Sequence, residues 1–272
     1  MEYGLLLLVG FLAGTIGSLV GLGGGVIIVP SLLFLGAAHV LPAVSPQVAV
    51  GTSLVVIIFN GLSSTLSYMK DKMVDYRSGL LFFVGSGPGA MLGAWVNQAL
   101  SLAHFSLYFG LFLISVSFLL MLTKKSTEQS KQKHFRMMRT YITNEGDTVT
   151  YGYHPVTAIA ISFVVGFFGG MFGIGGGSLM VPAMILLFLF PPHVAVATSM
   201  FIVFLSSLVS SVTHMVMGNV QWLFVLSLVP GVWFGAKTGA WMNKKLKSKT
   251  IVLMLRIVLI LLGIRLVIQG IS

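Results

Sequence analysis

Negative charge is almost absent from this sequence. Asp and Glu together number 6 in 272 residues, and charged residues of both signs make up 8%. A soluble domain carries about a quarter of its residues charged. A chain this poor in charge cannot cover its surface in water, and its mean hydropathy of +1.00 agrees. The bilayer must be its solvent. Cysteine is missing altogether, which excludes disulfides, thiolate metal sites and cysteine nucleophiles. The few carboxylates avoid the apolar runs: Glu2 sits at the terminus, and Asp71, Asp75, Glu128, Glu145 and Asp147 fall in loops. Their absence from the spans removes the usual proton-relay and sodium-site acids. It also removes paired general acids and bases, so the chain does not read as an enzyme. No metal site and no cofactor is expected.

The formal net charge is +10, yet this is no footprint for nucleic acid. Lys and Arg gather in a few short loops, as cytoplasmic loops do under the positive-inside rule. The lipid bilayer is the expected partner. The apolar runs are continuous and helix-length, which excludes a β-barrel of short alternating strands. Met1–Gly36 lacks a basic start and is apolar for too long to read as a cleaved signal peptide.

The first apolar stretch, Tyr3–Gly36, is interrupted at Gly21-Leu22-Gly23-Gly24-Gly25. Single runs follow at Pro46–Met69, Ser78–Leu100 and Leu102–Thr123. A polar interval, Lys124–Tyr153, holds Lys124, Lys125, Lys131, Lys133, Arg136 and Arg139 and reads as a linker. The pattern then restarts. His154–Phe190 is interrupted at Gly173-Ile174-Gly175-Gly176-Gly177, and Pro192–Met217, Trp222–Asn243 and Ile251–Ile271 follow. Residues repeat as well as outline. Gly21–Pro30 aligns with Gly173–Pro182, Ala49–Ser53 with Ala195–Ser199, Val74–Tyr76 with Val220–Trp222, and Pro88–Ala94 with Pro230–Ala236. An internal duplication of this kind marks many secondary transporters.

Charge then sets the topology. The basic loops Lys70–Arg77, Lys124–Tyr153 and Lys244–Lys249 belong in the cytoplasm, and the loops near Leu100 and Gly218, which carry no Lys or Arg, outside. Pro46–Met69 then runs inwards and its repeat partner Pro192–Met217 outwards. Parity makes each Gly-interrupted stretch a hairpin that enters and leaves on one side. At about 35 residues each is short of the roughly 40 needed for two crossings, so the Gly-rich turns are expected at membrane depth. The expected fold is an all-α polytopic membrane protein of two inverted repeats, residues 1–123 and 154–272. Each repeat is a Gly-rich re-entrant or short helical hairpin followed by three transmembrane helices. Residues 124–153 form a basic cytoplasmic linker, and both termini lie outside a cell membrane.

Gly lets backbone reverse tightly and approach a ligand, and a helix starting after such a turn aims free N–H groups and its positive dipole end at it. Gly23, Gly24, Gly25, Gly175, Gly176 and Gly177 are therefore candidate anion-binding residues. The competing reading is close helix packing. The hydroxyl pairs Thr52-Ser53 and Thr198-Ser199 either donate to an oxyanion or hold helices together. Asn60 and Ser206, with its neighbour Ser207, line the same path in the first reading. Asn60 is a costly residue in lipid and so a pathway candidate. His39, His104, His193 and His214 read as interfacial. Lys237, Arg256 and Arg265 read as snorkelling side chains, with Lys237 or Arg256 as lures for an anion in the alternative. An inside-negative potential favours anion exit by ~2.3 kcal/mol per charge per 100 mV, so export needs no coupled ion.

The paired blocks Gly21–Pro30 and Gly173–Pro182, with the Ala-Val-x-Thr-Ser and Pro-Gly…Gly-Ala blocks, resemble the sulfite exporter TauE/SafE family across both halves. The resemblance implies export of sulfite, of organosulfonates such as sulfoacetate, or of related sulfur oxyanions, with some relatives viewed as uptake permeases. It also implies a site between the two Gly-rich hairpins. Ala197 stands where the first half has Gly51. A passive anion channel and an uptake permease remain alternatives, and a homo-oligomer is compatible with the sequence. Because the chain has no cysteine, topology can be read with single introduced thiols. Cys placed at Gln132 and at Ser272 should label from opposite sides of the membrane. Labelling from one side would refute the inverted arrangement.

Overall fold

The computed structural model describes residues 2–121, 135–142, 148–177 and 179–271. Lys124, Lys125, Gln132, Lys131 and Lys133 of the expected linker, and Ser272, lie outside them. Ten helices and one strand pair are described: α1 (Glu2–Val20), α2 (Gly25–Ala37), α3 (Pro46–Met69), α4 (Tyr76–Asn97), α5 (Leu102–Met121), β1 (Met137–Ile142), β2 (Thr148–Tyr153), α6 (Pro155–Phe172), α7 (Met180–Leu186), α8 (Pro192–Val216), α9 (Trp222–Lys245) and α10 (Ser248–Ile271). Helices α1, α3, α4, α6, α8, α9 and α10 are long and apolar enough to cross a membrane. The chain is an all-α polytopic membrane protein.

Helix starts follow local chemistry. Ser45 caps α3, its Oγ accepting from Val48 N, with Pro46 at the first helical position. Asp75 caps α4 by accepting from Ser78 N. The Gly-rich interruptions end α1 and α6, and the chain turns back into α2 and α7. The arms are unequal. Helix α2 has 13 residues and starts at Gly25, whereas α7 has only 7 and starts at Met180, three residues past Gly177.

Backbone-on-backbone packing joins the halves. Gly231, Gly235 and Gly239 of α9 lie against the carbonyls of Leu7, Phe11 and Thr15 of α1. Gly85, Gly89 and Gly93 of α4 lie in the same way against Ile159, Phe163 and Phe167 of α6. Both pairs run parallel, since the contacts advance together along the two chains. Such small-residue stripes take the place of the hydrophobic drive that lipid does not supply. At the centre α3 and α8 pass antiparallel, with Gly51 against Asn219 and Gly61 against Phe204. Helices α5 and α10 pair antiparallel at the side, with Gly110 on Gly263 and Val267.

These stripes correct one detail of the internal alignment. Packing equates Gly85, Gly89 and Gly93 with Gly231, Gly235 and Gly239, a constant offset of 146 that also relates Asp75 to Gln221. Matching Pro88 to Pro230 shifts this by one helical turn. Small residues recur every fourth position here, so a four-residue slip still aligns Gly with Gly.

The basic interval also holds structure that hydrophobic periodicity does not announce. Strands β1 and β2 pair antiparallel from Met137↔Tyr153 to Ile142↔Thr148. The β-branched and aromatic residues of Thr148–Tyr153 suit a strand. Tyr151 and Tyr153 are buried, and Tyr153 packs with Phe82, Phe188 and Phe190 at centroid distances of 5.0, 5.8 and 6.4 Å. The hairpin is bound to the bundle, with Gly152 N donating to Phe188 O at 3.1 Å.

The stripes can be tested by adding single methyl groups. Gly235→Ala places a Cβ on the Phe11 carbonyl and should destabilise by about 1–3 kcal/mol, seen as a lower melting temperature in detergent. Gly4→Ala, where nothing lies within 4 Å, should leave it unchanged. Equal melting of the two variants would show that the stripe is not tightly packed.

Candidate functional site

Both Gly-rich turns are buried, and they touch. Positive φ angles at Gly21, Gly23 and Gly24 (80°, 70° and 84°) reverse the first, and at Gly173 and Gly175 (73° and 81°) the second. Gly25 lies against the Gly173 carbonyl, and a Cβ on it would stand 2.7 Å from the Ile174 Cα and 2.6 Å from the Ile57 Cδ1. Close approach of two backbones therefore requires glycine at position 25.

The hydroxyl pairs reach across between the halves. Ser53 of the first repeat donates to Gly173 O of the second at 2.9 Å. Ser199 of the second donates to Gly21 O of the first at 2.8 Å and to Gly177 O at 2.9 Å. The threonines act as acceptors. Thr52 Oγ1 accepts from Gln221 N, and Thr198 Oγ1 from Asp75 N, both at 3.0 Å. Those bonds use the oxygen and leave each threonine proton available. All four side chains are fully buried. The serines thus satisfy carbonyls that the broken helices leave open, as buried non-helical backbone demands.

Asn60 belongs to the first turn, its Nδ2 donating to Gly23 O at 2.6 Å. Its Oδ1 accepts from Ser18 at 3.0 Å, and Tyr68 OH donates to Ser18 O at 2.8 Å. Ser206, which occupies the corresponding place in the second repeat, bonds back to Ile202 O at 2.8 Å on its own helix.

The amides tell the opposite story from the carbonyls. Those of Gly24, Gly25, Gly175, Gly176 and Gly177 have no acceptor among the described residues. Orphaned buried N–H groups are rare. Here they come from two touching turns, one of them opening the 13-residue helix α2, whose positive dipole end adds to them. Fixed partial positive charge with no opposing carboxylate suits a small oxyanion.

Two further residues support the turns. Asn97 Nδ2 donates to Met171 O at 2.8 Å, and Asn243 Nδ2 to Leu19 O at 2.6 Å. Each ties down a carbonyl just before a Gly turn. The sequence held the signal: both are amides inside apolar runs, 146 positions apart, and as costly in lipid as Asn60.

Asp75 is no plain loop carboxylate. Its side chain is 6% exposed and meets Arg139 Nε at 3.3 Å. Its oxygens also accept from Ser78 and from Tyr151 OH, the latter at 3.1 Å. Burial, and then the Asp75 carboxylate, holds the Tyr151 phenol well above its ordinary pKa, so it stays a donor at physiological pH. The repeat counterpart, Gln221, makes no such side-chain contacts among the described residues. Beside Asp75 opens a cavity of about 300 Å³ lined by Lys72, Arg77, Arg139, Tyr141 and Tyr151. A second, of about 270 Å³, lies between α3 and α9 at Lys70, Ser63, Ser67 and Lys237. Lys237 Nζ stands 5.5 Å from the Trp233 ring centroid. His193 Nδ1 pairs with Asn243 Oδ1 at 3.0 Å. His214, in the last turn of α8, is fully buried within the bundle, and Asn219 N donates to its carbonyl.

Two broken-helix hairpins meeting inside a bundle of spanning helices define the class of multi-pass membrane transporters. The chain belongs to the sulfite exporter TauE/SafE family, whose pattern matches residues 6–266. It is 58% identical over 272 residues to "Probable membrane transporter protein YunE" of Bacillus subtilis (strain 168), covering 100% of this chain and 99% of that one. It is 27% identical over 270 residues to "Probable membrane transporter protein MJ0441" of Methanocaldococcus jannaschii, covering 96% and 93%. "Sulfite exporter TauE/SafE family protein 6" of Arabidopsis thaliana is 33% identical over 87 residues, 31% of this chain and 20% of that one. No solved structure matches the chain.

The crossed serines can be tested one at a time. Ser199→Ala leaves Gly21 O without its donor, while Gly177 O keeps Met180 N, and Ser53→Ala leaves Gly173 O. Each abandoned acceptor costs about 1–3 kcal/mol. Thermal unfolding in detergent should place both variants below the parent. Unchanged melting in both variants would show that the turns do not rely on these hydroxyls.

Proposed function

We propose that the protein carries a small sulfur oxyanion, sulfite or an organosulfonate such as sulfoacetate, out of the cell by alternating access. The observation that carries this reading is the set of unpaired amides at the two touching turns. An S–O group offers several oxygens, so donors from both turns can reach one anion. Thr52 and Thr198 lie one towards each end of the path, where their protons can meet the anion on its way to or from the turns. Partial charges alone hold the ligand, so binding stays weak enough for release. Both turns are buried, so the anion reaches them only when one repeat moves against the other.

Support for an inverted arrangement comes from helix direction. Helices α1, α3 and α9 run one way and α4, α6 and α8 the other, so each element opposes its repeat partner. Support for a cytoplasmic linker comes from charge. Lys244 pairs with Asp71 and Arg139 with Asp75, which gathers the basic loops at one end of the bundle. That end is the cytoplasmic one under the positive-inside rule, with both termini outside. An outward anion path gains about fifty-fold in concentration per 100 mV.

Proteoliposomes loaded in parallel with sulfite, sulfoacetate, taurine, thiosulfate and sulfate test the reading. Saturable efflux of sulfite or sulfoacetate is expected. Sustained ohmic current at channel rates would replace the carrier by a pore. Thr52→Val and Thr198→Val should each weaken binding about tenfold or more, as loss of a hydrogen bond to a charged ligand does. Thr→Ser at either position should restore it. Unaltered affinity in both valine variants would remove the threonines from the site.

A further inference from the structure

Helix α8 carries three polar side chains that the fold does not satisfy. Ser207 Oγ, Ser210 Oγ and both ring nitrogens of His214 have no hydrogen-bond partner, and all three residues are at 0% exposure. Their spacing of 3 and 4 puts them on one helical face. An unpaired buried polar group costs about 1–3 kcal/mol. Such a group in a native protein calls for an explanation, commonly a bound water or ion.

The row has definite ends. Ser207 Oγ lies over the second turn, 3.0 Å from where a Cβ on Gly175 would stand. His214 lies against Gly51 of α3 and beside Asn219, whose Nδ2 is also unpaired. The row therefore leads from the Gly175 turn to the loop between α8 and α9.

Comparison of the repeats shows that this is no general property of the position. The counterparts of Ser210 and His214, 146 residues earlier, are Ser64 and Tyr68. There Ser18 Oγ meets Ser64 Oγ, and Tyr68 OH donates to Ser18 O. That clasp is closed, and Thr65 is the one unpaired side chain left on α3. The counterpart of Ser18 is Gly170, which has no hydroxyl to give. The second repeat thus lacks the clasp and carries Ser207 where the first has Gly61.

We propose that Ser207, Ser210 and His214 form a second oxyanion subsite, between the Gly175 turn and the α8–α9 loop. It rests on the anion-carrier reading and extends it. Two hydroxyls and one imidazole N–H, spread over about 10 Å of helix, offer successive donors to an anion. The unpaired amides of Gly175, Gly176 and Gly177 continue the donor surface inward. The one described carboxylate on a spanning helix, Glu2, is exposed at the first residue of α1 and does not line the row. An anion leaving the turns would be handed along α8 rather than released directly into water.

The absence of native cysteine gives the test. Ser207→Cys and Ser210→Cys are made singly, with Ser64→Cys as the counterpart in the closed clasp. Each is exposed in proteoliposomes to an anionic, sulfonate-bearing methanethiosulfonate and to a cationic trimethylammonium analogue. Sulfoacetate is the protecting anion, since sulfite itself would consume the reagent. Thiols at 207 and 210 should react faster with the anionic reagent, and Ser64→Cys should not react. With sulfoacetate at ten times its Kd about one site in eleven stays free, so labelling should slow about tenfold. No labelling at 207 and 210 would show a dry interface and overturn the subsite. Equal labelling by both reagents without protection would show a water crevice and overturn it as well. Protection by sulfate or phosphate but not by sulfoacetate would support the subsite and sink the sulfonate substrate. If the thiol variants do not insert, Ser207→Ala/Ser210→Ala serves instead, with about tenfold weaker sulfoacetate binding expected. Unchanged binding there would count against the subsite.

Discussion

A helix broken inside a bilayer leaves carbonyls and amides that lipid cannot satisfy, and the rest of this structure depends on how those groups are met. The answer is reciprocal. Ser53 of one repeat holds the turn of the other, and Ser199 returns the bond. Neither hairpin is complete without the opposite half. The same exchange recurs further out, where Thr52 and Thr198 receive the backbone at the starts of α9 and α4. Packing repeats it again, with α1 on α9 and α6 on α4 through glycine stripes. A duplicated chain thus becomes one bundle because each copy finishes the hydrogen bonding of its partner.

Carbonyls and amides are treated unequally, and this gives the site its character. Side-chain donors go to the carbonyls: Ser53, Ser199, Asn60, Asn97 and Asn243 all donate to backbone oxygen in or just before a turn. The facing amides of Gly24, Gly25 and Gly175–Gly177 are left. A fold that neutralises its own negative dipole ends while leaving the positive ones bare is electropositive at its centre without a single buried Lys or Arg there. Family membership and the names of the relatives agree on a membrane transporter. On the proposed reading, partial charges of this kind hold an anion without trapping it.

Much of this was legible in the sequence. Continuous apolar runs gave the spans, and the Gly clusters marked the turns because no other residue adopts those φ angles cheaply. The Thr-Ser blocks marked the two helices whose serines bond across the halves. What sequence could not tell was which atom each hydroxyl would choose. Serine donates equally well to a carbonyl or to an oxyanion, and only the position of Gly173 O and Gly21 O decides. The one-turn slip at Pro88 and Pro230 arose because a four-residue repeat of small side chains aligns with itself. The β-hairpin escaped because its polar residues carry no apolar period. Its anchors Tyr151 and Tyr153 act through Asp75, Ser78 and Phe188, which are distant in sequence.

The two repeats are related, yet the ends of the bundle are not equally fastened. At one end Asp75 ties the start of α4 to Thr198 and also meets Arg139 and Tyr151 of the β-hairpin. At the other end Gln221 meets Thr52 through its backbone alone. In a two-state carrier such inequality fixes how long the molecule dwells in each orientation at rest. It does not fix the direction of net flow, which the ion gradient and the potential impose. On the alternating-access reading proposed above, the difference between Asp75 and Gln221 gives the two orientations unequal stability and leaves the thermodynamics reversible.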